Sequence, residues 1–390
     1  MRAAAFLYPW DVVGDPGAAT RTAALGVQQV TLAAAYHSTR ALTPRHPRHR
    51  IVTAAHSAVL YPPDPARWAG RTLRPYPAGQ WASGDAFGAA AEALTAAGLD
   101  VHTWVVLAHN SRLGTEHPGS CVVNAYGDRY PWAPCVARPE VRSYLTALAA
   151  EAATRPGARG TELESCGWYG LAHLHAHDKI AGVGMGDAER YLMSLCFCDI
   201  CGDGYARHGT DPDRFAHTVR TALAPLWAGT APAGAGIERL IGAEPTAATL
   251  DFRTRVARTL QEDVVAAVRA AAPVGFRVLL HAHPVAYHCG ADAGVDPAHI
   301  LSVADGVVVP CTGGAQALRP FADRAAVTGT DPVLAANLTV VRGMGGRPDR
   351  LAEDARAAAG VGATELRLYH AGLAADGDLC AVRVALSGLS

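Results

Sequence analysis

Eight short apolar runs, each followed by sequence of helical character, recur along the chain and limit what it can fold into. They are AAAFLYP (3–9), QVTLAAAYH (29–37), VHTWVVLAH (101–109), GTELESCG (160–167), FRVLLHAHP (276–284), DGVVVPC (305–311), PVLAANLTV (332–340) and TELRLYHAG (364–372). Strands that alternate with helices read as βαβ units and a parallel sheet. Eight such units close a (β/α)8 barrel, so the expected fold class is α/β, a (β/α)8 TIM barrel. A doubly wound open sheet is the alternative. It is weakened because neither G-x-G-x-x-G nor G-x-x-x-x-G-K-[ST] follows the first run. At 390 residues, half of them hydrophobic, the chain suits one barrel domain over 1–390 with surplus length in loops. Those loops are insertions after strand 2 (38–84), strand 3 (110–138) and strand 4 (168–245).

Barrel active sites lie at the C-terminal ends of the strands, which turns a list of polar residues into a site. Reading the strand ends gives Tyr8 and Asp11, Tyr36 and His37, His109 and Asn110, Glu162 and Glu164, His281 and His283, Cys311, Asn337, and Tyr369 and His370. Glu162 and Glu164 are two apart and share one face of strand 4. Glu164 is nearer the strand end, where a partly dry pocket raises a carboxylate pKa and suits it to general acid/base work. Glu162 lies one layer deeper, placed to pair with an Arg or His and hold Glu164. The segment HLHAHDK (173–179) adds His173, His175 and His177 to the pool of imidazoles. Tyr8, His37, His109, Glu162, His177, His281, His283, Asn337 and His370 are the expected substrate-binding groups, with Glu164 catalytic.

Net charge is −1, and the one basic cluster, RHPRHR (45–50), reads as a solvated loop, so no nucleic-acid partner is expected. No stretch reaches the roughly 18 apolar residues of a membrane span. MRAAAFLYPW reads as the start of a strand rather than a signal peptide, so the expected location is cytoplasmic. Nine cysteines in a reducing compartment favour metal over disulfides. Three of them, Cys196, Cys198 and Cys201, form C-x-C-x-x-C in LCFCDICGDGY (195–205). Closed zinc sites take four cysteines, or three and a histidine. Cys135, Cys121, Cys166 and His208 are candidates for the fourth ligand.

CVARPEVRSYL (135–145), ELESCG (162–167) and CFCDIC (196–201), in that order, resemble the family 42 β-galactosidases of the glycoside hydrolases. The resemblance covers about 125–210. It implies a structural Zn²⁺ held by Cys135, Cys196, Cys198 and Cys201, and Glu164 as the acid/base. Two positions depart from the family: Leu163 stands where it has Asn before the acid/base, and strand 7, VLAANLTVV, carries Asn337 and no Glu for the nucleophile. Asp11, Asp178, Glu244 and Asp292 are candidates for the second carboxylate. The expected function is a glycoside hydrolase-like enzyme acting on a small carbohydrate, with a homo-oligomer left open. Two alternatives are a metal-dependent lyase, isomerase or hydrolase using the His-rich rim, and a carbohydrate-binding barrel without catalysis.

Overall fold

Eight parallel strands close on themselves in the computed structural model, which describes residues 1–173, 178–230 and 232–389. They are β1 (Arg2–Leu7), β2 (Gln29–Tyr36), β3 (Asp100–Val106), β4 (Ala158–Glu164), β5 (Arg277–His283), β6 (Gly306–Pro310), β7 (Val333–Thr339) and β8 (Glu365–Tyr369). Each pairs with its sequence neighbour, and β1 pairs with both β2 (Ala4 opposite Gln29) and β8 (Arg2 opposite Glu365), which closes the barrel. The expected fold class holds, and each expected apolar run falls on a strand.

Helices follow the strands: Ala18–Ala23, Ala86–Ala96, Pro139–Ala153, Ala243–Ala271, Pro297–Val303, Arg319–Thr328, Leu351–Val361 and Asp376–Ser387. Local chemistry sets their starts. Pro139 and Pro297 stand at first helical positions, where no N–H is missed. Asp296 caps its helix by accepting from the N–H groups of Ala298 and His299. Alternation sorts the strands between two environments. Ala3, Ala5 and Leu7 of β1 face the helices, while Phe6 and Tyr8 face the barrel interior with Ala33, Tyr36 and Trp104.

The insertion after β2 is more ordered than its sequence suggests. Strands Thr39–Leu42 and Ile51–Ala54 pair antiparallel, and Ala58–Val59 pairs with the end of β2. RHPRHR is the connecting loop of that hairpin, with Pro47, Arg48 and Arg50 exposed as expected and Arg45 and His46 turned inward. Arg45 donates to the carbonyls of Ala371, Gly372 and Ala374, and His46 is buried. The segment between β4 and β5 holds helices Asp187–Met193, Asp199–Arg207, Pro212–Trp227 and Ile237–Ile241. No helix among the described residues is long and apolar enough to cross a membrane.

Candidate active site

Glu164 ends β4 and is 4% exposed. Its Oε2 accepts from Trp104 Nε1 at 2.8 Å. Burial pushes its pKa up and the Asp292 charge adds to this. His281 and the Trp104 bond pull it down, and the balance stands at about 6. The phenols of Tyr36, Tyr169 and Tyr369 are all held above their ordinary range, first by burial and next by the Glu164 charge. Tyr8 Oη donates to Tyr36 Oη at 3.0 Å and lies 3.1 Å from His370 Nδ1. His37 lies tilted against Tyr36 (4.1 Å between ring centres), and its neighbour His109 stacks on Tyr169 (4.2 Å). The surroundings of Glu164 thus include phenol hydroxyls and imidazoles set against aromatic rings.

Glu162 lies a layer below, fully buried. Arg367 Nε donates to its Oε1 at 2.8 Å and Gln29 Nε2 at 3.2 Å, and His102 Nδ1 lies 3.7 Å away. Burial alone would raise its pKa, but the Arg367 and then the His102 interactions outweigh this and bring it to about 2. The expected pairing with an Arg and a His is there. Glu162, expected to bind substrate, is fully buried as one half of an ion pair with Arg367.

One of the four candidate carboxylates, Asp292, lies on the loop after β5. Ser165 N–H donates to Ala291 O at 2.8 Å, which ties that loop to the end of β4, and Ala293–Gly294 pairs with Ala282 and His283. The turn requires glycine at 294, because a Cβ there would stand 2.6–2.7 Å from the carbonyl oxygens of Val285, Ala286 and His288. Asp292 is thereby held with Oδ1 3.8 Å from His281 Nδ1, while His281 Nε2 lies 4.0 Å from Glu162 Oε2. Burial alone would lower the His281 pKa; the nearby Asp292 carboxylate and the charges of Glu164 and Glu162 raise it instead. Among the described residues only Ser165 (φ 57°) and His370 (φ 59°) are non-glycine residues with left-handed backbone. They follow Glu164 and Tyr369 directly, and such strain concentrates at functional sites.

The other expected residues divide. Tyr8, His37, His109, His281 and His370 gather around Glu164. His283 stacks on His288, 4.1 Å away, at the edge of the group. Asn337 is buried near the end of β7 with its Oδ1 unbonded. His177, like His175, lies outside the described residues. Of the four candidates for second carboxylate, Asp11 is half-buried and accepts from the Tyr8 N–H, and Glu244 is exposed. The Asp178 charge is felt at His173, and Asp292 stands beside His281. Sequence reasoning missed Trp104, although the inward alternation of β3 pairs it with Glu162 and Val106 with Glu164. A hollow of about 670 Å³ is at the opposite end of the barrel, between Phe276, Asp305 and Val333 at the strand starts. Barrel chemistry is placed at the other face.

Cys135, Cys196, Cys198 and Cys201 are buried with their sulfurs within 4.8 Å of one another, an arrangement that can hold a metal ion. Cys135 Sγ lies 3.8 Å from Cys198 Sγ and 3.6 Å from Cys201 Sγ. A tetrahedral zinc with 2.3 Å bonds sets sulfurs about 3.8 Å apart, so the donor set fits. The N–H groups of Val123 and Cys198 point at Cys196 Sγ, each at 3.5 Å. It is the one such group of His, Cys, Asp or Glu among the described residues; the described rim histidines form none.

No family model and no curated protein matches this chain. Solved structures do. α-L-Fucosidase isoenzyme 2 from Paenibacillus thiaminolyticus aligns with 100% of this chain and 49% of its own at 13% identity, with a TM-score of 0.58. The catalytic domain of β-amylase from Paenibacillus polymyxa aligns over 100% and 98% at 13% identity (TM-score 0.56). The PgaB (BpsB) glycoside hydrolase domain from Bordetella bronchiseptica aligns over 99% and 98% at 16% identity (TM-score 0.54). The likeness is one of fold. This is a (β/α)8 barrel of the kind glycoside hydrolases use, and the chain spans about half the length of the fucosidase.

Proposed function

We propose that the chain is a glycoside hydrolase-like enzyme acting on a small carbohydrate, with Glu164 as general acid/base and Asp292 as second carboxylate. The observation that carries this reading is a buried carboxylate at the end of β4 with a pKa of about 6, beside a loop-borne Asp292. Glu164 in its acid form gives its proton to the glycosidic oxygen as the bond to the sugar breaks. Water adds at the anomeric carbon, and its proton passes to Asp292. His281 holds Asp292 in place, and the hydroxyls of Tyr8, Tyr36 and Tyr369 with the rim histidines bind sugar hydroxyls. The family 42 resemblance supports the Glu164 role; Asp292 serves as general base, in place of the strand-7 nucleophile of that family.

In the same reading Cys135, Cys196, Cys198 and Cys201 hold a structural zinc that stiffens 168–245 as an insertion of a single barrel domain and takes no part in the chemistry. The test is Glu164→Gln assayed on a panel of alkyl glycosides and disaccharides, whose leaving oxygens need the proton. Turnover should fall about 10²–10⁴-fold with the far-UV spectrum unchanged; turnover equal to the parent would remove Glu164 from the role. The missing strand-7 acid favours a second reading, a carbohydrate-binding barrel. Saturable binding of a glycoside that the parent protein never cleaves would establish it.

A further inference from the structure

The segments after β1 and β2 enclose a hollow of about 390 Å³. That is within the roughly 300–1,000 Å³ of ligand pockets. Trp10 of the short helix Pro9–Val12, His49 of the hairpin connection and Trp81 of the turn Gln80–Ala82 line it. Each carries a buried ring nitrogen with no hydrogen-bond partner: Trp10 Nε1, His49 Nε2 and Trp81 Nε1. Trp10 as a whole is only 4% exposed. Buried indole N–H groups usually find an acceptor, so three unpaired ring nitrogens around one hollow point to a ligand that bonds them.

The walls narrow the chemistry of that ligand. Among the described residues no Asp, Glu, Lys or Arg lines the hollow. Burial, and next His46, hold the His49 pKa below its ordinary range, so its imidazole is neutral at pH 7. Thr53, Gln80 and Ser83 are exposed on the rim and add two hydroxyls and an amide. An ion would find no counter-charge here, and a wholly apolar molecule would leave the nitrogens unpaired. A neutral sugar unit suits both conditions. Its hydroxyls accept from the two indoles and take either role towards the imidazole, and its C–H face packs on an aromatic ring.

Trp81 is set in place by its neighbours. His56 packs edge-on against it, 5.0 Å between ring centres. A Cβ at residue 79 would stand 2.5 Å from the Trp81 ring, so Gly79 leaves the ring its room. Trp10 stacks face to face on Tyr8, 4.6 Å between ring centres, and Tyr8 donates to Tyr36 beside Glu164. The hollow thus adjoins the Glu164 site across the Trp10–Tyr8 pair.

We propose that this hollow is a second sugar site, which takes a further neutral unit of the carbohydrate held at Glu164. The proposal rests on the carbohydrate reading given above and makes the substrate an oligosaccharide.

The experiment screens the full chain carrying Glu164→Gln, to hold cleavage down, on an array of neutral oligosaccharides and titrates the strongest by calorimetry. Adding Trp81→Ala should weaken binding about tenfold or more, through loss of a stacking face and a hydrogen bond. Trp81→Phe keeps a ring, removes the N–H and should weaken binding about fivefold. No neutral oligosaccharide bound, or an affinity that Trp81→Ala leaves unchanged, overturns the proposal. If Trp81→Ala alters the far-UV spectrum, Trp81→Phe decides, and an affinity equal to that of the Glu164→Gln chain overturns it. Cleavage of short glycosides without oligosaccharide binding removes this site and spares the role of Glu164. Binding through Trp81 with turnover indifferent to Glu164→Gln does the reverse.

Discussion

Glu164 keeps its proton up to a pH of about 6 because ionising it means placing a charge in a buried site near Asp292. A step that consumes that proton therefore slows as pH rises: kcat/KM should fall through a limb near pH 6. Trp104 stabilises the ionised form through its 2.8 Å bond, so Trp104→Phe should move the limb to higher pH; a limb that moves down would contradict the assignment. The same shift has a cost in stability. The folded value lies about 1.5 above the ordinary 4.5, so the stabilising contribution is full below pH 4.5 and is lost as pH rises through 6. At pH 7 the ionised group costs about 2 kcal/mol, which Glu164→Gln should recover as a raised Tm while turnover disappears. Glu164 was legible in the sequence because strand periodicity and the barrel rule place it. Asp292 was one of four candidates, because what sets its position is a backbone bond from Ser165 to Ala291, and such a bond leaves no pattern in side-chain types.

Between β4 and β5 the chain must order four helices that belong to no barrel unit, and the cysteine cluster joins them to the loop before helix Pro139–Ala153. If the cluster holds zinc, metal analysis of the purified chain should find one ion per chain. Cys198→Ser or a chelator should remove it and lower Tm by several degrees, since the binding energy of a structural metal counts toward folding. Glycosidase activity measured below that Tm should survive; a metal whose loss stops turnover at a temperature where the fold is intact would make it catalytic. The barrel elements were readable because each strand is an apolar run bounded by helix signals. The hairpin Thr39–Leu42 with Ile51–Ala54 was not, for its strands are four residues each and its connection is the basic cluster RHPRHR. The fate of that cluster depends on Arg45 reaching carbonyls beyond β8, a contact 326 residues away in sequence.

Across the whole molecule the barrel interior carries charge where an apolar core would have served. Glu162 of β4 meets Arg367 of β8, which also binds Glu365, and His102 of β3 and Gln29 of β2 complete the layer, so strands from different parts of the wall share one network. The count of eight strands foretold the closure, but the partner of Glu162 lies 205 residues away and only closure brings it near. The Glu162 pKa, lowered to about 2 from an ordinary 4.5, makes this layer a determinant of acid stability. Its contribution is fully present above about pH 4.5 and is lost as pH falls towards 2. Some 2.5 units correspond to about 3 kcal/mol. Glu162→Gln should therefore reduce the loss of stability between pH 5 and pH 2.5, measured by urea unfolding against the parent at each pH. At pH 7 it should also cost about 3–5 kcal/mol, because Arg367 keeps its charge with one partner fewer in a site closed to water. Pairing it with Arg367→Met should return part of that loss, since removing both charges leaves no uncompensated ion. A double variant no more stable than Glu162→Gln alone would mean that the layer is held by packing rather than by this pair.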